Sequence, residues 1–87
     1  MKMIIVIIKD NEADALTRAL TSAEYRVTRI ASTGGFLRSG VATLLIGVDD
    51  PQVDSAIALV RETVAAFGPG EKRASLFVVP VLRFEQV

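Results

Sequence analysis

Residues 2–32, KMIIVIIKDNEADALTRALTSAEYRVTRIAS, predict a strand, a helix and a second strand, and this order decides the fold. The run Lys2–Ile8 is rich in β-branched residues and has the length of a buried strand. Apolar residues then recur every three or four positions, which indicates a helix from about Asn11 to Ala23 with an N-cap at position 10 or 11. From Tyr25 to Ser32, β-branched and aromatic residues follow the period of two that is typical of a strand.

The rest of the chain predicts two further strands around a second helix. Val41–Val48 forms the third strand, and Asp49 and Asp50 are capping residues of a helix that begins at Pro51 and ends before the Gly-Pro-Gly run of residues 68–70. Ser75–Val79 forms the fourth strand, and a short tail follows it. The order βαββαβ predicts an α+β fold of the ferredoxin-like type, in which both helices cover one face of an antiparallel sheet.

The composition of the 87 residues excludes several classes of function. Ten basic and ten acidic side chains cancel, which speaks against a nucleic-acid partner and against a polybasic membrane anchor. The chain has no Cys and no His, so a disulfide, a zinc site or a Ser-His-Asp triad cannot form, and we expect no metal and no enzyme activity. The carboxylates of the two helices suit a solvated face. The first strand is too short for a signal peptide or a membrane span, and we expect one cytoplasmic domain over residues 1–87.

The share of hydrophobic residues, 51%, is high for so small a chain and predicts an oligomer. A domain of this size buries only about 60% of the surface of its unfolded chain. Adjacent apolar residues in Leu44–Ile46 and Phe77–Val79 place apolar side chains on both faces of the sheet, although the helices cover only one. A partner subunit is the simplest cover for the other face. The alternative is a well-filled monomer with scattered apolar residues on its surface.

The glycine-rich run Thr33–Gly40, TGGFLRSG, is the segment most typical of a ligand site. Glycines let backbone N–H groups approach a phosphate, Phe36 suits stacking on a base, and Arg26, Arg29 and Arg38 supply positive charge. No Gly-Lys-Ser/Thr follows, so the run is not a Walker A loop. A hairpin turn with Phe36 packed on a neighbouring subunit explains the same residues without a ligand. The predicted topology places this run and the loop before the fourth strand at one end of the sheet, where we expect any cleft.

Several stretches of the sequence resemble the PII-like cyclic di-AMP receptor family. Members of that family are signalling proteins similar to the nitrogen regulatory protein PII. The resemblance spans nearly the whole chain, and its most specific part is the TGGFLRSG run. It is carried by Met1–Ile5, Tyr25–Thr28, Thr33–Gly40 and Phe77–Val81, with Phe84 and Gln86 beyond them. Proteins of that family have the ferredoxin-like fold, form trimers and bind cyclic di-AMP in clefts between subunits. They are bacterial signal receptors and not enzymes.

The resemblance implies a set of ligand-binding residues and no cofactor besides the nucleotide. In this interpretation Phe36 packs on an adenine, and Arg26 or Thr28 forms a hydrogen bond with the nucleotide. The full set is Arg26, Thr28, Gly35, Phe36, Leu37, Gly47, Phe77 and Gln86. Because Arg26 and Thr28 begin the second strand whereas the glycine run lies beyond its end, we expect two neighbouring chains to share each ligand.

Three departures from the family leave other functions open. Glu24 and Val41 stand where family members usually carry Asn, and Gly68–Arg73 is short where the family has a long loop. Each lost hydrogen bond to a charged ligand costs about 1.5–3 kcal/mol, which is enough to change the ligand. One alternative is a PII-like trimer that has lost cyclic di-AMP and docks a protein target. Another is a PII-like protein that binds ATP or ADP.

Overall fold

The chain folds in the predicted βαββαβ order. The computed structural model describes residues 1–31, 40–68 and 73–87. Its elements are β1 (Lys2–Lys9), α1 (Asp10–Ser22), β2 (Arg26–Ala31), β3 (Val41–Val48), α2 (Val53–Ala65) and β4 (Ala74–Pro80). A short 3₁₀ turn, Asp50–Gln52, leads into α2. No helix in these ranges is long and apolar enough to cross a membrane.

The sheet has the strand order β2-β3-β1-β4, and every neighbouring pair of strands is antiparallel. This order confirms the prediction of a ferredoxin-like α+β fold. The register aligns side chains in rows that cross the sheet on one face, because side chains two residues apart on a strand point the same way. In strand order, one row is Arg26, Gly47, Met3 and Val79, and the next is Thr28, Leu45, Ile5 and Phe77.

The core lies on the face of the sheet that the two helices cover. Alternate residues of β1 and β3 are almost completely buried there, as the period of two requires. Leu16 and Leu20 of α1 and Ala56 and Val60 of α2 are buried against them. The buried strand residues are Ile4, Val6, Ile8, Ala42, Leu44, Ile46 and Val48.

The opposite face, which we call the open face, is also apolar but has no helix over it. It carries the two rows given above and the row of Ile30, Thr43, Ile7 and Ser75 that follows them. Ile7 is 37% exposed, Ile30 49% and Phe77 52%. Both faces of the sheet are therefore apolar, as the adjacent apolar residues in the sequence predict. The cover that we expect from a partner subunit remains a prediction.

The starts of the helices correct two predicted caps. Lys9 is the N-cap of α1 and makes no side-chain cap hydrogen bond, whereas Asp10 lies inside the first turn. Negative charge is favourable there because unpaired N–H groups point out of the helix start. Asp49, and not Asp50, is the N-cap of the turn before α2, and its N–H donates to Gln52 Oε1 over 3.1 Å.

The end of α1 is a left-handed turn at Glu24. Its φ of 70° makes Glu24 the one residue besides glycine with a positive φ in the described part of the chain. Glu24 N–H donates to Thr21 O over 2.9 Å, and Tyr25 N–H donates to Leu20 O over 3.0 Å. These two bonds define a Schellman ending, whose left-handed position is usually taken by glycine or sometimes by asparagine.

Candidate functional site

A cavity of about 550 Å³ lies at the end of the open face where β1 begins. Its floor is the sheet itself, and one wall is the tail that follows β4. The strand residues around it are Met3, Arg26, Thr28, Leu45, Gly47 and Val48, the turn residues are Glu24, Tyr25, Asp49 and Gln52, and the terminal residues are Met1, Val81, Phe84 and Gln86.

Four of the sequence-predicted ligand residues meet in this cavity. Arg26 and Thr28 belong to β2, Gly47 lies on β3 directly opposite Arg26, and Gln86 comes from the tail. These residues are far apart in the chain, and the strand register together with the course of the tail brings them to one place.

Gly47 leaves space in the floor of the cavity. A Cβ atom built on Gly47 would meet no other described atom within 4 Å, and its φ lies outside the left-handed region. The backbone therefore does not require a glycine at this position. What the missing side chain provides is room above the sheet, between Arg26 on one side and Met3 on the other.

The tail closes the cavity because it is tied to the start of the chain. Val81 N–H donates to Met1 O over 3.1 Å, which extends the pairing of β4 with β1 by one residue. The Met1 ammonium group pairs with Asp50 over 3.3 Å. Phe84 and Gln86 then reach the cavity two residues apart. Phe84 was not among the predicted site residues, although its spacing of two from Gln86 is a signal that could have found it.

Charges around the cavity are mixed. Arg26 supplies a guanidinium group, and it forms no ion pair with another residue in the described ranges. Glu24 and Asp49 add two carboxylates to the same lining. Arg26 is thus available for a phosphate group, but a phosphate placed here also meets negative charge.

Arg29 does not line the cavity, although its positive charge predicts a contact with a phosphate. Residue 29 lies on the helix-covered side of β2, where its guanidinium contacts Asp14 and reaches Asp10 Oδ1 over 3.3 Å. The hydrogen bond that it donates to Asp14 raises the pKa of Arg29. The structure therefore corrects the prediction that Arg29 supplies charge for a phosphate, since this side chain is paired with two carboxylates of α1.

The other end of the sheet, where we expected any cleft, carries a smaller concavity of about 300 Å³ beside Lys9, Val41 and Arg73. Arg73 pairs there with Glu12 over 2.6 Å, and Glu12 is only 9% exposed. The solvated face predicted for the helix carboxylates is therefore wrong for Glu12. The larger cavity forms at the opposite end because the tail folds over the open face there. The predicted residues Gly35, Phe36, Leu37 and Arg38 lie outside the described residues.

Phe77 lies on the open face but does not line the larger cavity. It shares a row with Thr28 and is separated from it by two intervening strands. At about 4.8 Å per strand, the two residues are roughly 14 Å apart. Within one chain, Phe77 therefore belongs to a different part of the open face from the other candidates.

Comparison with known families adds an independent finding to this geometry. The sequence pattern described as cyclic-di-AMP receptor matches residues 1–67. The chain belongs to the cyclic-di-AMP receptor family. The family name describes receptors and not enzymes. The matched residues extend from β1 to α2 and include Arg26, Thr28 and Gly47. It ends before β4, so Phe77 and Gln86 lie beyond the matched residues of this cyclic-di-AMP receptor family member.

A solved structure supports the same fold for the whole length of this family member. It is the crystal structure of a functionally unknown protein from Pediococcus pentosaceus, with 26% sequence identity and a TM-score of 0.76. The similarity covers 99% of this chain and 96% of that one. The fold is therefore shared through β4 and the tail, where the family pattern no longer matches.

Proposed function

We propose that this protein is a non-enzymatic signal-transduction receptor for cyclic di-AMP in the bacterial cytoplasm. The observation that carries the proposal is the meeting of Arg26, Thr28, Gly47 and Gln86 around one cavity in a chain of the cyclic-di-AMP receptor family. Arg26 donates hydrogen bonds to a phosphate, and Thr28 and Gln86 offer neutral donors and acceptors. The space above Gly47 lets the ligand approach the backbone.

The protein acts as a trimer in this proposal, and its open faces cover one another. Large apolar side chains such as Phe77 and Ile30 are half exposed on that face, and a second copy is the simplest cover for them. Each ligand then lies in a cleft between two chains. The roughly 14 Å between Thr28 and Phe77 supports such sharing, since a neighbouring chain can bring its own Phe77 or Phe36 to the cavity.

The test is a calorimetric titration with cyclic di-AMP, ATP and cyclic di-GMP in parallel. The proposal predicts saturable binding of cyclic di-AMP that Arg26→Ala weakens by about tenfold or more, because a charge-assisted hydrogen bond is lost. Arg61→Ala is the matched control, since Arg61 is an exposed arginine of α2 outside the cavity. Equal losses in the two variants would contradict a phosphate contact at Arg26.

Mixed trimers test whether the site is shared. An Arg26→Ala chain combined with a Phe36→Ala chain gives some clefts that contain neither change, about one in four at equal mixing. Shared sites predict that binding returns in the mixture although each variant alone binds poorly. A mixture that binds no better than its components would show that a single chain builds the site.

The carboxylates of Glu24 and Asp49 favour one alternative function. They add negative charge to a cavity that we assign to a phosphate ligand, and a trimer without nucleotide would instead dock a protein target. Wild-type protein that assembles but binds none of the three nucleotides would support this alternative.

A further inference from the structure

Glu24 is unusual in its backbone conformation. It takes the left-handed position of the Schellman ending of α1, with a φ of 70°. A residue with a Cβ atom is strained there, glycine avoids this strain, and asparagine tolerates the conformation better than other residues with a Cβ atom. The Glu24 side chain makes no hydrogen bond or ion pair with another described residue that would offset this strain.

Glu24 is also part of the cavity lining. The lining carries one guanidinium group, on Arg26, and two carboxylates, on Glu24 and Asp49. The Met1 ammonium group is already paired with Asp50. Asp49 has a structural role as the N-cap of the turn before α2. Glu24 is therefore the cavity carboxylate whose charge is not explained by a role in the fold.

We propose that Glu24 is a specificity-determining residue that disfavours ligands in proportion to their negative charge. Building on the proposed function, it selects a cyclic dinucleotide over a nucleoside triphosphate. A cyclic dinucleotide has one charge on each of its phosphodiesters, about two in all, whereas ATP carries about four. Because Coulomb energy scales with the product of the charges, Glu24 repels ATP about twice as strongly in free energy when the phosphates of both ligands lie at the same distance from it.

The test compares Glu24→Gln with wild type in titrations of cyclic di-AMP and of ATP, without added divalent cations. Removing the charge improves cyclic di-AMP binding by about two- to fivefold, as for other exposed charge pairs. It improves ATP binding by about the square of that factor, so the preference for cyclic di-AMP falls. Both gains shrink at high salt, because the carboxylate is exposed to solvent and its charge is screened.

One further variant of Glu24 separates charge from backbone strain, and a variant of Glu62 is the control. Glu24→Asn removes the charge and also fits the left-handed position, so it raises the melting temperature, whereas Glu24→Gln leaves it nearly unchanged. A gain in affinity that both variants share is due to charge. Glu62→Gln, at an exposed position of α2 outside the cavity, leaves the affinities for both nucleotides unchanged.

The outcomes distinguish this inference from the proposed function. If wild type binds cyclic di-AMP and Glu24→Gln has the same ratio of affinities for the two nucleotides as wild type, the role of Glu24 is overturned and the proposed function stands. If neither wild type nor Glu24→Gln binds either nucleotide, the proposed function is overturned, and the role of Glu24 falls with it. A fall in the cyclic di-AMP preference that disappears at high salt supports the inference.

Discussion

Ile7 and Ile8 are neighbours on β1, yet Ile7 is 37% exposed and Ile8 is 1% exposed. The same contrast holds along the two central strands, β1 and β3, where residues of the helix-covered face are buried and those of the open face are partly exposed. Both faces have the residue types of a protein interior. The difference is the basis for the proposal that a second copy covers the open face, where Arg26, Thr28, Gly47 and Phe77 also lie.

Two arginines on the helix-covered side are paired with carboxylates. Glu12 is paired with Arg73 on that side, and Arg29 with Asp10 and Asp14. On the open face, Arg26 forms no ion pair with any residue of the described ranges. A paired arginine supports the fold, whereas an unpaired one beside a cavity is suited to bind a phosphate.

The largest effect that we expect from this contrast is on folding. Ile8→Ala should lower the free energy of unfolding by about 2–5 kcal/mol, because it leaves a cavity in the packed core. Ile7→Ala is the matched variant on the other face and should cost much less in dilute, dissociated protein. Urea unfolding of both variants measures the difference. Equal losses would mean that the two faces are packed alike.

The next effect concerns assembly. Ile7→Asp places a carboxylate on the open face, and burying it without a partner against another copy should cost about 1–3 kcal/mol or more per chain. Analytical ultracentrifugation should show a trimer for wild type and a smaller species for the variant. A wild-type protein that sediments as a monomer at micromolar concentration would contradict the covered open face.

The smallest effect on the fold is expected at Gly47. Gly47→Val adds a side chain whose Cβ atom meets no described atom within 4 Å, so the melting temperature should stay the same or rise slightly. The same change fills the floor of the cavity and should weaken cyclic di-AMP binding. Thr43→Val, on the same strand and face but outside the cavity, should leave binding unchanged. Unchanged affinity in Gly47→Val would remove Gly47 from the site.

Much of the fold could be predicted because hydrophobic periodicity reflects burial directly. The bounds of β3 were predicted as observed, those of β1 differ by one residue at one end, and those of β2, β4 and α1 differ by one residue at each end. The caps at Asp10 and Asp50 were predicted wrongly, because several adjacent polar residues can satisfy the same helix start. Such competition is decided by tertiary geometry and not by local sequence.

The site was harder to predict than the fold. Arg29 was placed with the phosphate-binding residues because sequence reports its charge but not its partner, and Asp10 and Asp14 lie far from it in the chain. The position of the larger cavity depends on the path of the tail after β4. At the start of that path Val81 N–H donates to Met1 O, a contact that no local pattern indicates.

The most direct measurement is a titration of isotope-labelled protein with cyclic di-AMP, followed by the chemical shifts of backbone amides. The account predicts saturable shifts at Thr28, Gly47 and Gln86, with little change at Arg61 and Glu62 on the outer side of α2. Shifts confined to the outer side of the helices, or no saturable shifts in correctly assembled protein, would contradict the claim that the open face is the ligand-binding face.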